Sequence, residues 1–205
     1  KDGEDGVAQS YFEYLKIPYT HSGVVSSFNA MNKLISKKIF LKHKIKTPKY
    51  FSIAENNKIS SVDKKLKLKK IIYPVIVKPT NEGSSLGVEL CKNKKNLIKS
   101  TNKLVKKYGQ VMIEQYIPGQ EIQVAIINGK PLGAIELIPK RQFYDYKAKY
   151  TKSAKTKHIM PARLSKNNYT KVIKLAKQAH KALDCKGVTR TDFKFFKNKF
   201  YLLEI

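Results

Sequence analysis

The chain has 205 residues, of which 41% are hydrophobic and 28% are charged, and its formal net charge is +27. A chain of this length forms one large domain or two small ones around a sizeable core. No apolar run approaches the roughly 18 to 20 residues that a membrane-spanning helix needs. We therefore expect no membrane partner.

The positive charge first suggests a polyanionic partner such as nucleic acid. However, the 42 basic residues include only Arg141, Arg163 and Arg190 as arginines. Sites that recognise phosphates or bases favour the planar guanidinium group of arginine. The lysines are also spread along the chain rather than gathered in one stripe. We therefore interpret most of them as solvated surface residues and expect no specific nucleic-acid partner.

The two cysteines, Cys91 and Cys185, are isolated in the sequence. Their spacing matches neither a metal site nor a disulfide framework. Reduced thiols are typical of cytosolic proteins, so we expect a cytoplasmic protein. The four histidines also show no ligand spacing, and we interpret them as surface or packing residues.

Apolar periodicity predicts alternating helices and strands along the chain. The predicted order is a helix at 7–16, a short strand at 17–20, one long helical stretch from Ser26 to before Thr47, a strand at 49–54, a helix from Ser61, strands at 71–77 and 88–91, a helix at 93–108, a strand at 111–116, a hairpin of 121–127 and 130–138 around Asn128-Gly129, a helix from Ser165 to about Leu183, and a final hairpin of 188–196 and 200–205. Residues 139–158 show no clean period and predict a long functional or disordered loop.

The stretch at 71–88 reads IIYPVIVKPTNEGSSLGV and contains the strongest local signal. Its apolar run is typical of a strand buried on both faces, and we expect that strand to deliver Lys78 into a loop. The loop is rich in glycine and serine, whose backbone N–H groups can turn toward an anion. The pattern therefore indicates phosphate binding, with an ordinary turn and a solvated lysine as the alternative.

Several motifs in a fixed order resemble those of D-alanine–D-alanine ligases, a family of the ATP-grasp superfamily. They are GEDG at 3–6, IPYTHSGV at 17–24, MNK at 31–33, VIVKPTNEGSSLGV at 75–88, IEQYIPGQE at 113–121, FYDYKAKY at 143–150, GVTRTDF at 187–193 and YLLEI at 201–205. The resemblance covers essentially the whole chain, and FYDYKAKY is specific to the ligases within the superfamily.

The resemblance implies an α/β (α+β) ATP-grasp fold in which the nucleotide is held between two α+β domains. We expect the remnant of an N-terminal α/β domain at 1–31, a central ATP-grasp domain at 32–120 and an incomplete C-terminal domain at 121–205. In the family, GEDG follows His-Gly, and YLLEx precedes an asparagine that binds Mg2+. We therefore expect a ligase fragment truncated at both ends, with little activity of its own.

The resemblance also implies the reaction. ATP would phosphorylate the carboxylate of one D-alanine, and the amine of a second D-alanine would attack the acyl phosphate, as in peptidoglycan precursor synthesis. The expected cofactor is Mg2+, with Mn2+ as an alternative. The full-length enzyme would be a homodimer.

Matching motif positions imply the roles of individual residues. Lys33, Lys78 and Lys149 resemble phosphate-binding lysines, Glu114, Gln115 and Ile117 resemble the adenine-binding segment, and Glu121 resembles the ribose ligand. Ser85 and Tyr144 complete the expected nucleotide site, and many relatives have lysine at the position of Gln115. The residues alone leave other readings open, namely a solvated Lys33 and an exposed Glu121.

Asp192 and Glu204 are the expected Mg2+ ligands, because pairing of the last two strands could bring both carboxylates to one side. Without the resemblance, they could equally neutralise nearby lysines. Arg190 resembles the arginine that stabilises the oxyanion of the tetrahedral intermediate. Ser84 and Tyr150 resemble the pair that closes over the second substrate, with loop packing as the alternative for Tyr150.

Two other functions remain open. The first is a related ATP-grasp carboxylate–amine or carboxylate–hydroxyl ligase, such as a D-alanine–D-lactate ligase, although tyrosine at position 150 favours D-alanine. The second is a basic nucleic-acid-binding protein without catalysis.

Overall fold

The computed structural model describes residues 3–55, 61–139 and 156–205. They form two compact units. The four-stranded unit is Pro48–Ile117, and the five-stranded unit comprises the described residues of Lys1–Thr47 and Pro118–Ile205. Residues 32–47 thus group with the C-terminal part of the chain, whereas the sequence assigns them to the central domain; the division at 31 and 120 stays a prediction.

The helices within the described ranges are α1 Val7–Tyr14, α2 Val24–Met31, α3 Lys33–Lys42, α4 Val62–Lys69, α5 Lys94–Tyr108 and α6 Lys166–Ala182. The strands are β1 Tyr50–Ala54, β2 Val75–Pro79, β3 Glu89–Cys91, β4 Gln110–Gln115, β5 Gln120–Ile127, β6 Lys130–Ile138, β7 Lys157–Ile159, β8 Val188–Phe196 and β9 Lys199–Glu204. None of these helices combines the length and apolar character needed to cross a bilayer. Cys91 and Cys185 are both free thiols.

The four-stranded unit is an antiparallel sheet of order β1-β4-β2-β3. Alternate residues of β2 and β4 pack into its core with apolar residues of α4 and α5, because successive side chains of a strand point to opposite faces. All of β2 is buried, which confirms the expectation of a strand covered on both faces. Asn93 caps the start of α5, and Gly109 ends it with a φ of 73°.

The five-stranded unit is an antiparallel sheet of order β7-β6-β5-β8-β9. The hairpin around Asn128-Gly129 and the final hairpin both form as predicted. One sheet face packs with residues of α3 and α6 into a core that includes Phe40, Ile122, Val124, Ala176, Phe193 and Leu202. Ser165 caps α6 by accepting from the backbone N–H of Asn168.

Three predicted elements differ in detail from the structure, and Lys157 and His158, which the sequence assigns to the loop at 139–158, belong to β7. The long helix from Ser26 is two helices, because Asn32 leaves the helical conformation and its side chain accepts from the N–H groups of Leu34 and Ile35 at the start of α3. Among the described residues, 17–20 have no strand partner and form no strand.

The third difference concerns β2, which begins at Val75 rather than at residue 71 and includes Lys78 and Pro79. Pro74 has no backbone N–H to donate to a ladder, so regular pairing begins after it. Lys78 therefore lies in the strand and not in the loop that follows.

Candidate active site

Polar side chains gather on one face of the five-stranded sheet. In the pairing of β5 with β8, Glu121 stands opposite Lys194, Gln123 opposite Asp192 and Ala125 opposite Arg190. Side chains alternate between the two faces along each strand, so these residues project away from the apolar core. We define the polar face as Glu121, Gln123, Arg190, Asp192, Lys194 and Glu204.

Asp192 is the centre of this face and is 3% exposed. Arg190 donates to both of its carboxylate oxygens, from Nε at 2.8 Å and from a terminal guanidinium nitrogen at 3.0 Å, and Gln123 Nε2 donates at 3.2 Å. The pKa of Asp192 is nevertheless raised to about 6, mainly because burial disfavours the charged carboxylate. The charges of Glu204 and Glu121 raise it further, against the lowering effect of Arg190.

The last two strands place Glu204 directly opposite Asp192. A register shift between Asp192 and Phe193 sets Leu202 opposite Phe193, so that Glu204 rather than Leu203 meets Asp192. The prediction that pairing of the last two strands brings these two carboxylates together is therefore confirmed. Glu204 Oε2 also lies 3.8 Å from Nζ of Lys33, and Lys33 is 6% exposed. The alternative of a solvated Lys33 is therefore wrong.

These carboxylates fit the donor set of a Mg2+ ion, which prefers hard oxygen ligands and keeps several water or phosphate ligands. Within the described ranges, no group of three or more His, Cys, Asp or Glu side chains could hold a metal by itself. Asp192 and Glu204 could therefore supply part of a coordination shell. Burial is the main cause of the raised pKa of Asp192, and the charge of Glu204 raises it further; a bound cation would relieve this repulsion.

Glu121 forms a second ion pair on the polar face. Its Oε2 lies 3.1 Å from Nζ of Lys194, and the two side chains are 10% and 19% exposed, respectively. The alternative of an exposed glutamate at the start of a strand is therefore wrong.

The four-stranded unit carries the other predicted nucleotide residues. Ile76 stands opposite Glu114 and Lys78 opposite Met112, so Lys78 and Glu114 are diagonal neighbours on the sheet face away from the core. Their Nζ and Oε2 atoms are 2.7 Å apart, and the side chains are 8% and 3% exposed. Lys78 is thus a buried, paired cation, and the alternative of a solvated lysine at an ordinary turn is wrong.

The glycine- and serine-rich loop follows β2 immediately. Ser84 and Ser85 both have a left-handed backbone, with φ of 51° and 59°. Non-glycine residues rarely adopt this conformation, and such strain often occurs at ligand-binding loops. At Gly87, with φ of 68°, an added Cβ would lie 2.9 Å from Pro79 Cγ, so only glycine lets the loop lie against the end of β2.

The predicted adenine-binding segment lies at the end of β4. The backbone N–H of Gln115 donates to the carbonyl oxygen of Lys49 at 2.8 Å, so this amide belongs to the sheet rather than to a ligand. Ile117 is 5% exposed and is the last residue of the four-stranded unit.

Comparisons with known proteins decide the family. Residues 39–205 match the family model described as D-ala D-ala ligase C-terminus. The chain belongs to this family.

Relatives named D-alanine–D-alanine ligase include a protein of Pelagibacter ubique, 58% identical over 99% of this chain and 66% of its own length, and one of Trichlorobacter lovleyi, 41% identical over 99% of this chain and 63% of its own length. The chain thus spans just under two thirds of the length of these curated relatives. A crystal structure of D-alanine–D-alanine ligase from Bacillus anthracis complexed with ATP has a TM-score of 0.84 at 30% identity and covers all of this chain and 64% of its own. A D-Ala:D-Ser ligase structure from Enterococcus faecalis has a TM-score of 0.87 at 28% identity, covering all of this chain and 60% of its own.

These two ligase structures confirm the ATP-grasp fold that the motifs predict. The predicted loop residues Tyr144, Lys149 and Tyr150 lie outside the described residues. The roles of the remaining site residues stay predictions, although their pairing and burial are now defined.

Two polar-face residues were missed by sequence reasoning in this ligase-family chain, namely Gln123 and Lys194. Both could have been found from the period of two along β5 and β8, since Gln123 follows Glu121 by two positions and Lys194 follows Asp192 by two.

Among the histidines, His180 is 4% exposed, and burial lowers its pKa.

Proposed function

We propose that the protein is an ATP-dependent ligase that joins two D-alanines into D-alanyl-D-alanine for peptidoglycan precursor synthesis. Membership of the D-alanine–D-alanine ligase family and the names of its relatives support this proposal. The observation that carries it is the register that sets Glu204 opposite Asp192, with Arg190 bound to Asp192 on the same face. A cytoplasmic location and a homodimer of the whole enzyme belong to the same proposal.

The chemistry explains the need for ATP. An oxygen of a free carboxylate is a poor leaving group, so the first D-alanine takes the γ-phosphoryl group of ATP and ADP leaves. The amine nitrogen of the second D-alanine then attacks the carbonyl carbon, loses a proton, and displaces inorganic phosphate. The peptide bond forms as the acyl–phosphate bond breaks.

Three cations among the described residues would act on the developing negative charge, in addition to the expected phosphate contact of Lys149. Lys33 and Lys78 are assigned to the phosphates of ATP, where a buried ammonium offsets charge more strongly than a solvated one. Arg190 is assigned to the oxyanion formed when the amine attacks. Its guanidinium is oriented by two hydrogen bonds to Asp192, yet its side chain is 55% exposed and therefore accessible to a substrate.

Asp192 and Glu204 are assigned to Mg2+, with Mn2+ as the alternative. When bound, the ion would supply positive charge at the phosphate oxygens during phosphoryl transfer. Glu114, with the backbone carbonyl of Gln115 and the backbone of Ile117, is assigned to adenine, and Glu121 to the ribose hydroxyls. A carboxylate suits the ribose because it can accept from two neighbouring hydroxyl groups.

The loop residues are assigned to closure over the site. Ser84, Ser85, Tyr144, Lys149 and Tyr150 would exclude water, which would otherwise hydrolyse the acyl phosphate. The left-handed backbone of Ser84 and Ser85 supports a specialised role for these two serines.

Isothermal titration calorimetry of the 205-residue chain with ATP and Mg2+ tests the nucleotide part of the proposal. We expect saturable binding that Lys78→Ala weakens strongly. Adding D-alanine and measuring D-alanyl-D-alanine by mass spectrometry tests ligation, and D-lactate as the second substrate tests the depsipeptide alternative.

A nucleic-acid-binding protein would give different results. Duplex binding would depend on salt and be unchanged by ATP, and Lys78→Ala would alter no nucleotide affinity. That combination would refute the ligase proposal.

A further inference from the structure

Lys194 is a polar-face cation to which the ligase resemblance assigns no role. It stands directly opposite Glu121 across β5 and β8, and its Nζ lies 3.1 Å from Oε2 of Glu121. Residues directly opposite in an antiparallel pair have Cβ atoms only about 5 Å apart. The contact is therefore built into the register of the sheet.

The burial of this pair distinguishes it from an ordinary surface ion pair. The side chain of Glu121 is 10% exposed and that of Lys194 is 19% exposed, whereas Arg190 on the same strand is 55% exposed. Exposed pairs contribute little because water competes for both ions. A largely buried carboxylate instead needs a partner that compensates its lost hydration and fixes its orientation.

The contact also makes the two carboxylate oxygens of Glu121 different from each other. Lys194 engages Oε2, and Lys194 is anchored two positions from Asp192 on the same strand and face. A lysine ammonium is a point charge that fixes one oxygen while leaving the second to accept from another donor. Paired hydroxyl groups of a ribose are donors that match such an oriented carboxylate.

We propose that Lys194 is a positioning residue that holds Glu121 for the ribose of the nucleotide and so makes binding selective for ribonucleotides. The inference rests on the proposed function, which assigns Glu121 to the ribose. Lys194 acts through Glu121 and does not itself contact the phosphates.

The test compares ATP with 2′,3′-dideoxy-ATP, which lacks the two hydroxyls that Glu121 would accept from. The Mg2+ complex of each nucleotide is titrated calorimetrically into the unchanged chain, Lys194→Met, Lys194→Arg, Glu121→Gln and the Lys194→Met/Glu121→Gln double variant. Lys199→Met is the matched control, because Lys199 is an exposed lysine of the same hairpin. Thermal unfolding of each variant checks that it is folded.

The proposal predicts that Lys194→Met weakens ATP binding about five-fold, the net size of one ordinary hydrogen bond, and changes dideoxy-ATP binding much less. Lys194→Arg restores ATP binding in part because it keeps the positive charge. Since Lys194 acts through Glu121, the double variant binds ATP no more weakly than Glu121→Gln alone. Lys199→Met changes neither affinity.

Other results overturn the proposal. Equal weakening for both nucleotides would mean that Lys194 acts on the phosphates or on the whole site. Unchanged binding of ATP by Lys194→Met would leave Lys194 with no role in positioning. If the unchanged chain binds ATP in either of these cases, only this inference fails; if the unchanged chain binds no ATP at all, the proposed function fails with it.

Discussion

The buried pair of Lys78 and Glu114 gives the sharpest prediction about stability. We consider Lys78→Met, which replaces the ammonium with an uncharged side chain of similar length and leaves the carboxylate of Glu114 in place. The two side chains are 8% and 3% exposed, and Nζ and Oε2 are 2.7 Å apart. The variant therefore removes a counter-charge from a carboxylate that solvent barely reaches.

The magnitude follows from the distance and the burial. Unit charges separated by 2.7 Å attract each other by about 6 kcal/mol at an effective dielectric constant of about 20. Desolvation of both ions offsets most of this attraction, so the intact pair adds little net stability, but removing one partner typically costs about 3 to 5 kcal/mol. Glu114 has further contacts, so we expect the lower end, about 3 kcal/mol. The Lys78→Met/Glu114→Gln variant should recover most of this loss, because it leaves no buried charge at the pair.

Urea unfolding of the whole chain measures these differences. The chain has no tryptophan, so tyrosine fluorescence and far-ultraviolet circular dichroism are the probes. Lys92→Met, at an exposed lysine of the same unit, is the control. A Lys78→Met variant within about 0.5 kcal/mol of this control, the usual range for surface changes, would refute the reasoning. So would a double variant as unstable as Lys78→Met alone.

Two further predictions concern the five-stranded unit. Hydrogen bonds from Arg163 lower the pKa of the buried Glu136 carboxyl in the folded protein. The ionised carboxylate therefore stabilises the fold above its unfolded pKa of about 4.3. This contribution is lost as the pH falls through the lower pKa of the folded protein. Arg163→Met should therefore lower the urea midpoint most near neutral pH and progressively less toward about pH 3; a pH-independent difference would contradict this. At Gly187, with φ of 59°, an added Cβ would lie 1.8 Å from the carbonyl oxygen of Thr20, whereas at Gly129, with φ of 73°, no described atom lies within 4 Å. Gly187→Ala should lose more than about 3 kcal/mol in free energy of unfolding, and Gly129→Ala about 1 kcal/mol from left-handed strain alone; equal losses would show that the close approach is unimportant.

The sequence by itself determined the elements whose signals are local. Asn93 and Gly109 delimit α5, Asn128-Gly129 defines a hairpin, and Ser165 starts α6, because caps and tight turns depend on a few adjacent residues. The motifs likewise identified the family and the ATP-grasp fold, since their order carries information that no single motif has. The capping role of Asn32 was visible in principle, but the apolar spacing that continues through it predicted one long helix.

Only the tertiary structure decided which charges meet. The pairing of Lys78 with Glu114 and of Lys194 with Glu121 depends on the register of strands far apart in the chain. The register shift at Asp192 likewise decides that Glu204, and not Leu203, stands opposite it. Sequence periodicity states which face of a strand a residue occupies, but the partner and the burial depend on a neighbouring strand. For this reason the candidate site residues could be named from the sequence, while their ion pairs and the role inferred for Lys194 could not.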